Sequence, residues 1–279
     1  MPPYRLLAVD IDGTLVNSRD EVTAVTRDAL RRAVDAGMRV VLATGRRYSR
    51  ALPLVEPLGL DLPLVTASGA LVKHPANHRT LYCAEFERDR LLRMLAIIHQ
   101  AGYEAVLYGD TFELGHDMYC RRVEVEQPEL AEFFAMNPVG RLVCPNIMRD
   151  PPPGVFSGFT MGPRDEMAAL AETLEAQMPG ELYVHVIRSP RYRGYMCELA
   201  SHGVTKWSSV ERLARGWGIS DEEICAVGDD VNDIPMLLGA GLGVAMGNAA
   251  DEVKQAADRV APHNNDDGLA EVIDWLLAS

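Results

Sequence analysis

Two carboxylates, a glycine and a hydroxyl directly follow a short apolar run near the start of the chain. The run covers residues 6–9 and leads into Asp10-Ile11-Asp12-Gly13-Thr14. Such a run is typical of a buried parallel strand, and open α/β sheets bind their ligands at the carboxyl ends of these strands. The pattern therefore predicts that Asp10 lies at the edge of a crevice. The alternative is a strand end followed by a solvated turn, since Asp and Gly are ordinary turn residues.

A second group of polar side chains lies near the other end of the chain and also follows an apolar run, residues 224–227. Its members are Asp229, Asp230, Asn232 and Asp233. So many acceptors on one strand-to-helix turn favour the binding of a cation. Mg²⁺ prefers hard oxygen ligands and takes one or two carboxylates plus a substrate phosphate oxygen. Asp10 and the carboxylates of this second group can supply such ligands, and Asp230 is expected to be solvated.

The elements that must position these residues alternate between strand and helix at both ends of the chain. The pattern predicts strands that end at Val9 and that cover 39–43, 64–66, 224–227 and 243–245. It predicts helices over 23–36, 204–217, 234–238 and 269–277. Such alternation is typical of a parallel sheet with crossover helices. We therefore expect the two ends of the chain to share one α/β sheet.

The middle of the chain has a pattern of its own. Strands are predicted over 104–108, 142–144, 155–160 and 182–187, and helices over 88–100 and 165–177. This segment is long enough to form a separate α+β domain. We therefore predict a core of residues 1–81 and 191–279, with an inserted domain of residues 82–190.

Four segments, in this order, resemble the motifs of the haloacid dehalogenase (HAD) superfamily, and most closely its Cof-type sugar-phosphate phosphatases. They are Asp10-Ile11-Asp12-Gly13-Thr14, Thr44-Gly45-Arg46, Lys206, and Gly228-Asp229-Asp230-Val231-Asn232-Asp233-Ile234-Pro235-Met236-Leu237. The two end motifs are specific, and the two middle ones are weak alone. The resemblance spans almost the whole chain and implies a Rossmann-like α/β core with a parallel sheet. The long stretch between Thr44 and Lys206 resembles a C2-type cap.

The resemblance implies a Mg²⁺-dependent phosphatase that acts through an aspartyl-phosphate. Asp10 is then both nucleophile and metal ligand, with the backbone carbonyl of Asp12 and the carboxylate of Asp229 as further ligands. The side chain of Asp12 is then the general acid for the leaving oxygen and the base for water. Lys206 resembles the lysine that bridges nucleophile and phosphate. Its alternative is an exposed surface lysine.

Further polar residues are expected around the phosphate. The hydroxyl of Thr44 and the backbone N–H of Gly45 would face the same crevice and bind phosphate oxygens. Arg46 could neutralise substrate charge or lie on a solvated helix face. By resemblance, Asn232 contacts phosphate or metal-bound water, and Asp233 holds Lys206 or supports the metal ligands from outside.

Four other places in the chain carry weaker signals. Ser68 stands where the family usually has Asn before Gly-Ala, and Trp207 replaces the glycine usual after the motif lysine, which leaves the packing there open. Asn248, in Met246-Gly247-Asn248-Ala249, is interpreted as structural. On the path from the inserted domain back to the core, Arg188, Arg191 and Arg193 form a basic loop that either recognises the leaving group or is a solvated hairpin.

Composition narrows the class of partner. The chain has 279 residues, 48% of them hydrophobic, and a formal net charge of -13. That charge opposes nucleic-acid binding, and no apolar run approaches the ~18 residues of a membrane helix. The five scattered cysteines indicate neither a disulfide framework nor a zinc site. We expect a cytoplasmic protein, a monomer or weak dimer, that acts on a small phosphorylated metabolite.

Other functions stay open at this point. A phosphomutase of the same superfamily would use the same motifs, although such mutases carry their cap earlier in the chain. A phospho-accepting signalling module also combines aspartates, a threonine and a lysine, but it is much shorter. A HAD-like protein that binds phosphate without catalysis is the third alternative.

Overall fold

The computed structural model describes residues 4–188 and 192–278. Its strands are β1 (Leu6–Asp10), β2 (Arg39–Ala43), β3 (Leu64–Thr66), β4 (Leu71–Lys73), β5 (Thr80–Cys83), β6 (Val106–Gly109), β7 (Met118–Cys120), β8 (Arg141–Val143), β9 (Val155–Gly162), β10 (Leu182–Arg188), β11 (Tyr195–Ser201), β12 (Ile224–Gly228), β13 (Leu242–Ala245) and β14 (Arg259–Val260). Its α-helices are α1 (Ala24–Asp35), α2 (Tyr48–Val55), α3 (Arg88–Gln100), α4 (Pro128–Met136), α5 (Arg164–Gln177), α6 (Lys206–Gly216), α7 (Ile234–Gly239), α8 (Asp251–Ala256) and α9 (Gly268–Leu277). These elements form two compact units, a core unit and an inserted unit that begins at Cys83 and ends at Val204.

The sheet of the core unit brings both ends of the chain together. Its strand order is β14-β13-β12-β1-β2-β3-β4-β5. Strand β1 pairs in parallel with β2 on one side and with β12 on the other. Every residue of β1 and β12 is buried, as expected for strands covered on both faces. Because the carboxyl ends of these three strands meet at one edge, the polar segments that follow them are neighbours.

Two core helices begin directly after a threonine whose side chain caps the helix start. The side chain of Thr23 accepts from the backbone N–H of Thr26 and starts α1. The side chain of Thr205 likewise accepts from the N–H of Ser208, whose hydroxyl group accepts from the N–H of Thr205. This reciprocal capping satisfies backbone donors that a helix start leaves free. It makes Lys206 the first residue of α6.

The inserted unit is an α+β structure with a six-stranded sheet of order β10-β11-β9-β6-β7-β8. Helices α3 and α5 contribute apolar side chains to a core that includes Leu107 and Leu199. Helix α4 contributes Leu130, Phe133 and Phe134 to a second core on the other side of the sheet, around Phe159. The α/β class, with a mainly parallel core sheet and an α+β insertion, is therefore confirmed.

The inserted unit extends further than residues 82–190. Strand β11 pairs antiparallel with β10 along its whole length and with β9 for most of it. These hydrogen bonds keep residues up to Val204 in the inserted unit, so the second boundary lies near Thr205 instead of at 191. The sequence pattern missed β11 as well as α4 and β7.

The predicted basic loop is described only in part. Arg188 ends β10, and the backbone N–H of Arg193 donates to Glu132 Oε2 at 3.3 Å. Arg191 lies outside the described residues. Among the residues that are described, no helix is long and apolar enough to cross a membrane.

Candidate active site

Asp10 is the last residue of β1 and is buried. The chain then turns sharply at Gly13, which has a φ of 76°. A Cβ atom at this position would lie 2.1 Å from Asp229 Oδ2, so any side chain would collide with that carboxylate. Both the left-handed backbone and the close approach therefore require glycine. The turn brings the first motif into contact with the fourth, as the motif order predicts.

Lys206 joins three residues of the site. Its Nζ donates to Asp10 Oδ1 at 2.6 Å, to Asn232 Oδ1 at 2.8 Å and to Asp233 Oδ1 at 2.7 Å. The lysine side chain is only 2% exposed. Helix α6 is fixed beside the sheet edge because Ser209 Oγ donates to the backbone carbonyl of Gly69 at 2.6 Å. The alternative of an exposed surface lysine is wrong.

The buried charges of the site perturb one another. Burial raises the pKa of Asp10 well above its ordinary value, and the negative charge of Asp233 acts in the same direction, whereas Lys206 opposes the shift. Burial disfavours the ammonium of Lys206, but the charges of Asp10 and Asp233 outweigh it and raise the pKa of the lysine. Burial, and then the charge of Asp233, raise the pKa of Asp229 to about 7. One lysine thus faces three carboxylates, an excess of negative charge that a cation would relieve.

These carboxylates offer a metal site made only of oxygen atoms. One oxygen each from Asp10, Asp229 and Asp233 lies within 4.8 Å of the others. Asp233 uses Oδ1 for Lys206, and its Oδ2 accepts from the backbone N–H groups of Asp229 and Asp230 at 3.1 Å each. Both oxygens of Asp233 are thus engaged by protein donors, and so are those of Asp229, which accept from Thr14 Oγ1 at 3.2 Å and Asn248 Nδ2 at 3.0 Å. The three carboxylates together offer hard oxygen ligands for a divalent cation, and the assignment of Asp10 and Asp229 as its ligands stays a prediction.

Asp12 lies at the other side of the first turn and is bound by the second motif. Thr44 is fully buried after β2, and its Oγ1 donates to Asp12 Oδ2 at 3.1 Å. The same hydroxyl oxygen accepts from the backbone N–H of Arg46 at 3.0 Å. Arg46 Nε donates to both carboxylate oxygens of Asp12, at 2.8 and 3.0 Å. The structure thus directs Thr44 and Arg46 toward Asp12, and the alternative of Arg46 on a solvated face is wrong.

Gly45 lies beside Asn232 at the same edge. A Cβ atom on Gly45 would be 3.9 Å from Asn232 Nδ2 and 3.4 Å from Ser68 Oγ. Ser68 has a left-handed backbone, with a φ of 54°, and its N–H donates to the carbonyl of Thr44 at 3.1 Å. This link uses the backbone of residue 68, so the serine found in place of asparagine does not interrupt it.

Asn248 belongs to the site, although the sequence alone suggested only a structural role. Its Nδ2 donates to Asp229 Oδ2 at 3.0 Å and to the backbone carbonyl of Gly13 at 2.8 Å. Its Oδ1 accepts from the N–H of Asn264 at 3.0 Å. Asn248 follows β13, which pairs in parallel with β12. That position, just past the carboxyl end of a strand in the same sheet, was the signal that could have revealed it.

The side chain of Trp207 packs against α7. It is partly buried against the core of the unit. A Cβ atom on Gly239 would lie 2.3 Å from the indole Cε2. The ring therefore covers the end of α7, and the departure from the family pattern at 207 leaves the contacts of Lys206 intact.

Comparisons with known proteins agree with this geometry. A family model for haloacid dehalogenase-like hydrolases matches residues 7–273. Phosphatase YwpJ of Bacillus subtilis is 30% identical, with 98% of this chain and 100% of that protein covered. The 5-amino-6-(5-phospho-D-ribitylamino)uracil phosphatase YitU of the same organism is 28% identical, with 97% and 96% covered. A haloacid dehalogenase-like hydrolase from Bacteroides thetaiotaomicron superimposes with a TM-score of 0.79 at 26% identity, with 98% and 99% covered.

The match extends from β1 to α9 and so includes every motif residue that meets at the sheet edge. Asp10, Lys206 and Asp229 lie together there, although they are far apart in sequence. The family match and this shared geometry confirm the resemblance seen in the sequence, and the chain belongs to the haloacid dehalogenase-like hydrolases.

Proposed function

We propose that this protein is a Mg²⁺-dependent phosphatase that hydrolyses small phosphate monoesters through a covalent phosphoryl group on Asp10. The observation that carries the proposal is the buried contact of Lys206 with Asp10, 2.6 Å long, beside the carboxylate of Asp229. A lysine buried against a carboxylate at a strand end can hold the nucleophile and neutralise an incoming phosphate. The contacts of Asp12 with Thr44 and Arg46 support an acid-base role for its side chain.

In the first step, a carboxylate oxygen of Asp10 attacks phosphorus and the phosphorus–oxygen bond to the leaving group breaks. Asp12 gives its proton to the departing oxygen, which leaves as an alcohol. In the second step, Asp12 takes a proton from water as the water oxygen attacks phosphorus. The bond from phosphorus to Asp10 breaks, and inorganic phosphate is released with the Asp10 carboxylate restored.

A divalent cation fits this chemistry because a phosphate monoester and the site are both anionic. Asp10 and Asp229 would hold it, with the backbone carbonyl of Asp12 as a further ligand. Repulsion between two unit charges 4 Å apart is about 4 kcal/mol at an effective dielectric constant near 20. When bound, the cation supplies the positive charge that offsets this repulsion.

We further propose a sugar or sugar-alcohol phosphate as substrate. Support comes from the relative YitU, whose name describes a phosphatase of a phosphorylated ribityl compound. The net charge of -13 gives no support for a nucleic-acid substrate. A panel of phosphorylated sugars, sugar alcohols, nucleotides and cofactors would identify the preferred ester.

The test is release of inorganic phosphate from this panel, with Mg²⁺ or with EDTA. We expect hydrolysis that needs Mg²⁺ and that Asp10→Asn abolishes, because an amide neither attacks phosphorus nor neutralises the metal. Asp28→Asn makes the same change at an exposed residue of α1 and serves as the control. If Asp10→Asn kept a tenth or more of kcat, a loss below about 1.4 kcal/mol, the role of Asp10 would be wrong.

A further inference from the structure

Arg46 lies between two carboxylates of the core unit. Besides its contacts with Asp12, its Nη2 donates to Asp20 Oδ1 at 2.8 Å. The side chain of Arg46 is 16% exposed, whereas those of Asp12 and Asp20 are 47% and 50% exposed. A largely buried guanidinium thus joins Asp12 to a loop residue that belongs to none of the motifs.

The loop that carries Asp20 is held by its own hydrogen bonds. Asn17 Oδ1 accepts from the backbone N–H groups of Arg19 and Glu21, at 2.9 and 3.1 Å. The backbone carbonyl of Asn17 accepts from the N–H of Asp20 at 3.0 Å. Asp20 has a φ of 60°, a left-handed conformation that Asp and Asn adopt more readily than most residues. The loop therefore presents the carboxylate of residue 20 in a defined position.

We propose that Arg46 and Asp20 are positioning residues for Asp12: Asp20 anchors the guanidinium of Arg46, and Arg46 holds the carboxyl group of Asp12. The inference rests on the proposed function, in which Asp12 protonates the leaving oxygen. Arg46 contacts both oxygens of Asp12 through its planar fork, and such a pair fixes orientation as well as distance. The bond from Arg46 to Asp20 fixes the guanidinium plane in turn.

This role differs from the expectation that Arg46 neutralises substrate charge. An arginine that binds the phosphate affects every ester alike, because all esters present the same phosphoryl group. An arginine that positions the general acid matters most for esters whose leaving oxygen needs a proton. A p-nitrophenolate leaves without much help, whereas an alkoxide does not.

The test compares kcat/KM for an alkyl phosphate, such as β-glycerophosphate, with kcat/KM for p-nitrophenyl phosphate. Asp20→Gly removes the anchor and keeps the left-handed backbone. Asp20→Asn keeps an oxygen acceptor. Arg46→Lys keeps the charge but loses the planar fork. Glu21→Gln, at an exposed neighbour paired with Arg19, is the matched control.

We expect Asp20→Gly and Arg46→Lys to lower kcat/KM for the alkyl phosphate about tenfold more than for p-nitrophenyl phosphate. The positioning of Asp12 would account for part of the rate gain that a general acid provides. Asp20→Asn should restore most of the loss, and Glu21→Gln should leave the ratio of the two kcat/KM values unchanged. Thermal unfolding of each variant separates this effect from loss of fold, and Arg46→Lys tests the same contact if Asp20→Gly does not fold.

An unchanged ratio in both Asp20→Gly and Arg46→Lys, including an equal fall for both esters, would overturn the inference and favour a phosphate-binding role for Arg46. The proposed function is tested separately by the unmutated protein. If that protein hydrolysed neither ester with Mg²⁺, the proposed function itself would fail. An unchanged ratio in Asp12→Asn would remove the acid role of Asp12 and, with it, the basis of the inference.

Discussion

Asn248 links the turn after β1 to the carboxylate of Asp229. Its amide donates to both, and Asn264 fixes its other end while donating through Nδ2 to the carbonyl of Val16 at 2.8 Å. A group that orients a metal-binding carboxylate in this way affects affinity without touching the metal. If Asp229 binds the cation proposed above, Asn248 is expected to orient its carboxylate for that binding.

We predict that Asn248→Ala weakens Mg²⁺ binding about tenfold, because Asp229 loses the donor that fixes its Oδ2. Calorimetric titration of the metal-free protein measures this without substrate. Asn265→Ala, which removes an exposed side chain bonded to the N–H of Ser18, is the control and should bind Mg²⁺ normally. Equal affinity in Asn248→Ala and the unmutated protein would show that the contact has no role in metal binding.

At the scale of residues, the sequence predicted that Asp10, Thr44 and Asp229 lie at one edge of the sheet, because each stands at or just after the end of an apolar strand. It could not predict the contacts that packing alone creates. Asn248 donates a hydrogen bond to Gly13, which lies near the other end of the chain. Asp20 accepts from Arg46 because of a loop conformation that the residue types of the loop allow but do not dictate. Neither contact has a spacing that a pattern can detect, although the position of Asn248 just after β13 places it at the same sheet edge.

At the scale of elements, strand β11 of the inserted unit contains a carboxylate, Glu198, between two neighbouring strands. Glu198 pairs with His185 of β10 on one side and with Phe159 of β9 on the other. Its side chain is half-buried, and burial raises the pKa of its carboxyl group to about 7. The folded protein therefore prefers Glu198 in its neutral, protonated form.

The stability of the protein should accordingly depend on pH through Glu198. The pKa is higher in the folded than in the unfolded chain, so the stabilisation is complete below about pH 4.5 and is lost as the pH rises to about 7. We predict that Glu198→Gln, which mimics the neutral form, becomes more stable relative to the unmutated protein as the pH rises over this range. Above pH 7, the gain in the free energy of unfolding should level off at about 2 kcal/mol. This value allows for solvent screening of the partly exposed side chain.

Urea unfolding at several pH values measures this difference. Glu172→Gln, an exposed position on α5, is the control and should give a constant difference from the unmutated protein. A difference for Glu198→Gln that stays constant between pH 5 and 8 would contradict the role of Glu198.

Several elements of both units were predicted within a few residues, because their apolar runs and caps are local signals, whereas the short core elements β4, β5, α8 and β14 were not predicted. The strand over 39–43 and the helix over 88–100 match β2 and α3. Strand β11 was missed since a carboxylate interrupts its apolar pattern, and only pairing with β9 and β10 reveals it. Helix α4 was missed although Pro128 stands at its start, a favoured position for proline.

At the scale of the whole molecule, two separate segments of the chain form the core sheet, and the inserted unit lies between them in the sequence. The N-terminal part supplies Asp10, Asp12, Thr44 and Arg46, and the part after Val204 supplies Lys206, Asp229 and Asp233. Strand β1 pairs directly with β12, which joins the two parts in one sheet. These residues therefore come together only when both segments of the core have folded into one sheet.

The net charge of -13 makes an anionic substrate unfavourable over most of the surface. Local positive charge must reverse this at the sheet edge, and Lys206 and Arg46 are the cations of that edge in the described residues of the motifs. Their charges are engaged by Asp10, Asp12, Asp20 and Asp233. Because these two cations are already paired in a strongly acidic protein, we expect phosphate-ester hydrolysis to depend strictly on a divalent cation.

The covalent phosphoryl group on Asp10 is the central claim, and its direct detection is the decisive measurement. Asp12→Asn protein is mixed with p-nitrophenyl phosphate and Mg²⁺ and quenched in acid during turnover. Its peptides are then analysed by mass spectrometry. We expect a phosphoryl group on the peptide that contains Asp10, since loss of the base slows hydrolysis of the intermediate. A phosphoryl group on another residue, or its absence from every peptide while phosphate is still released, would contradict the account.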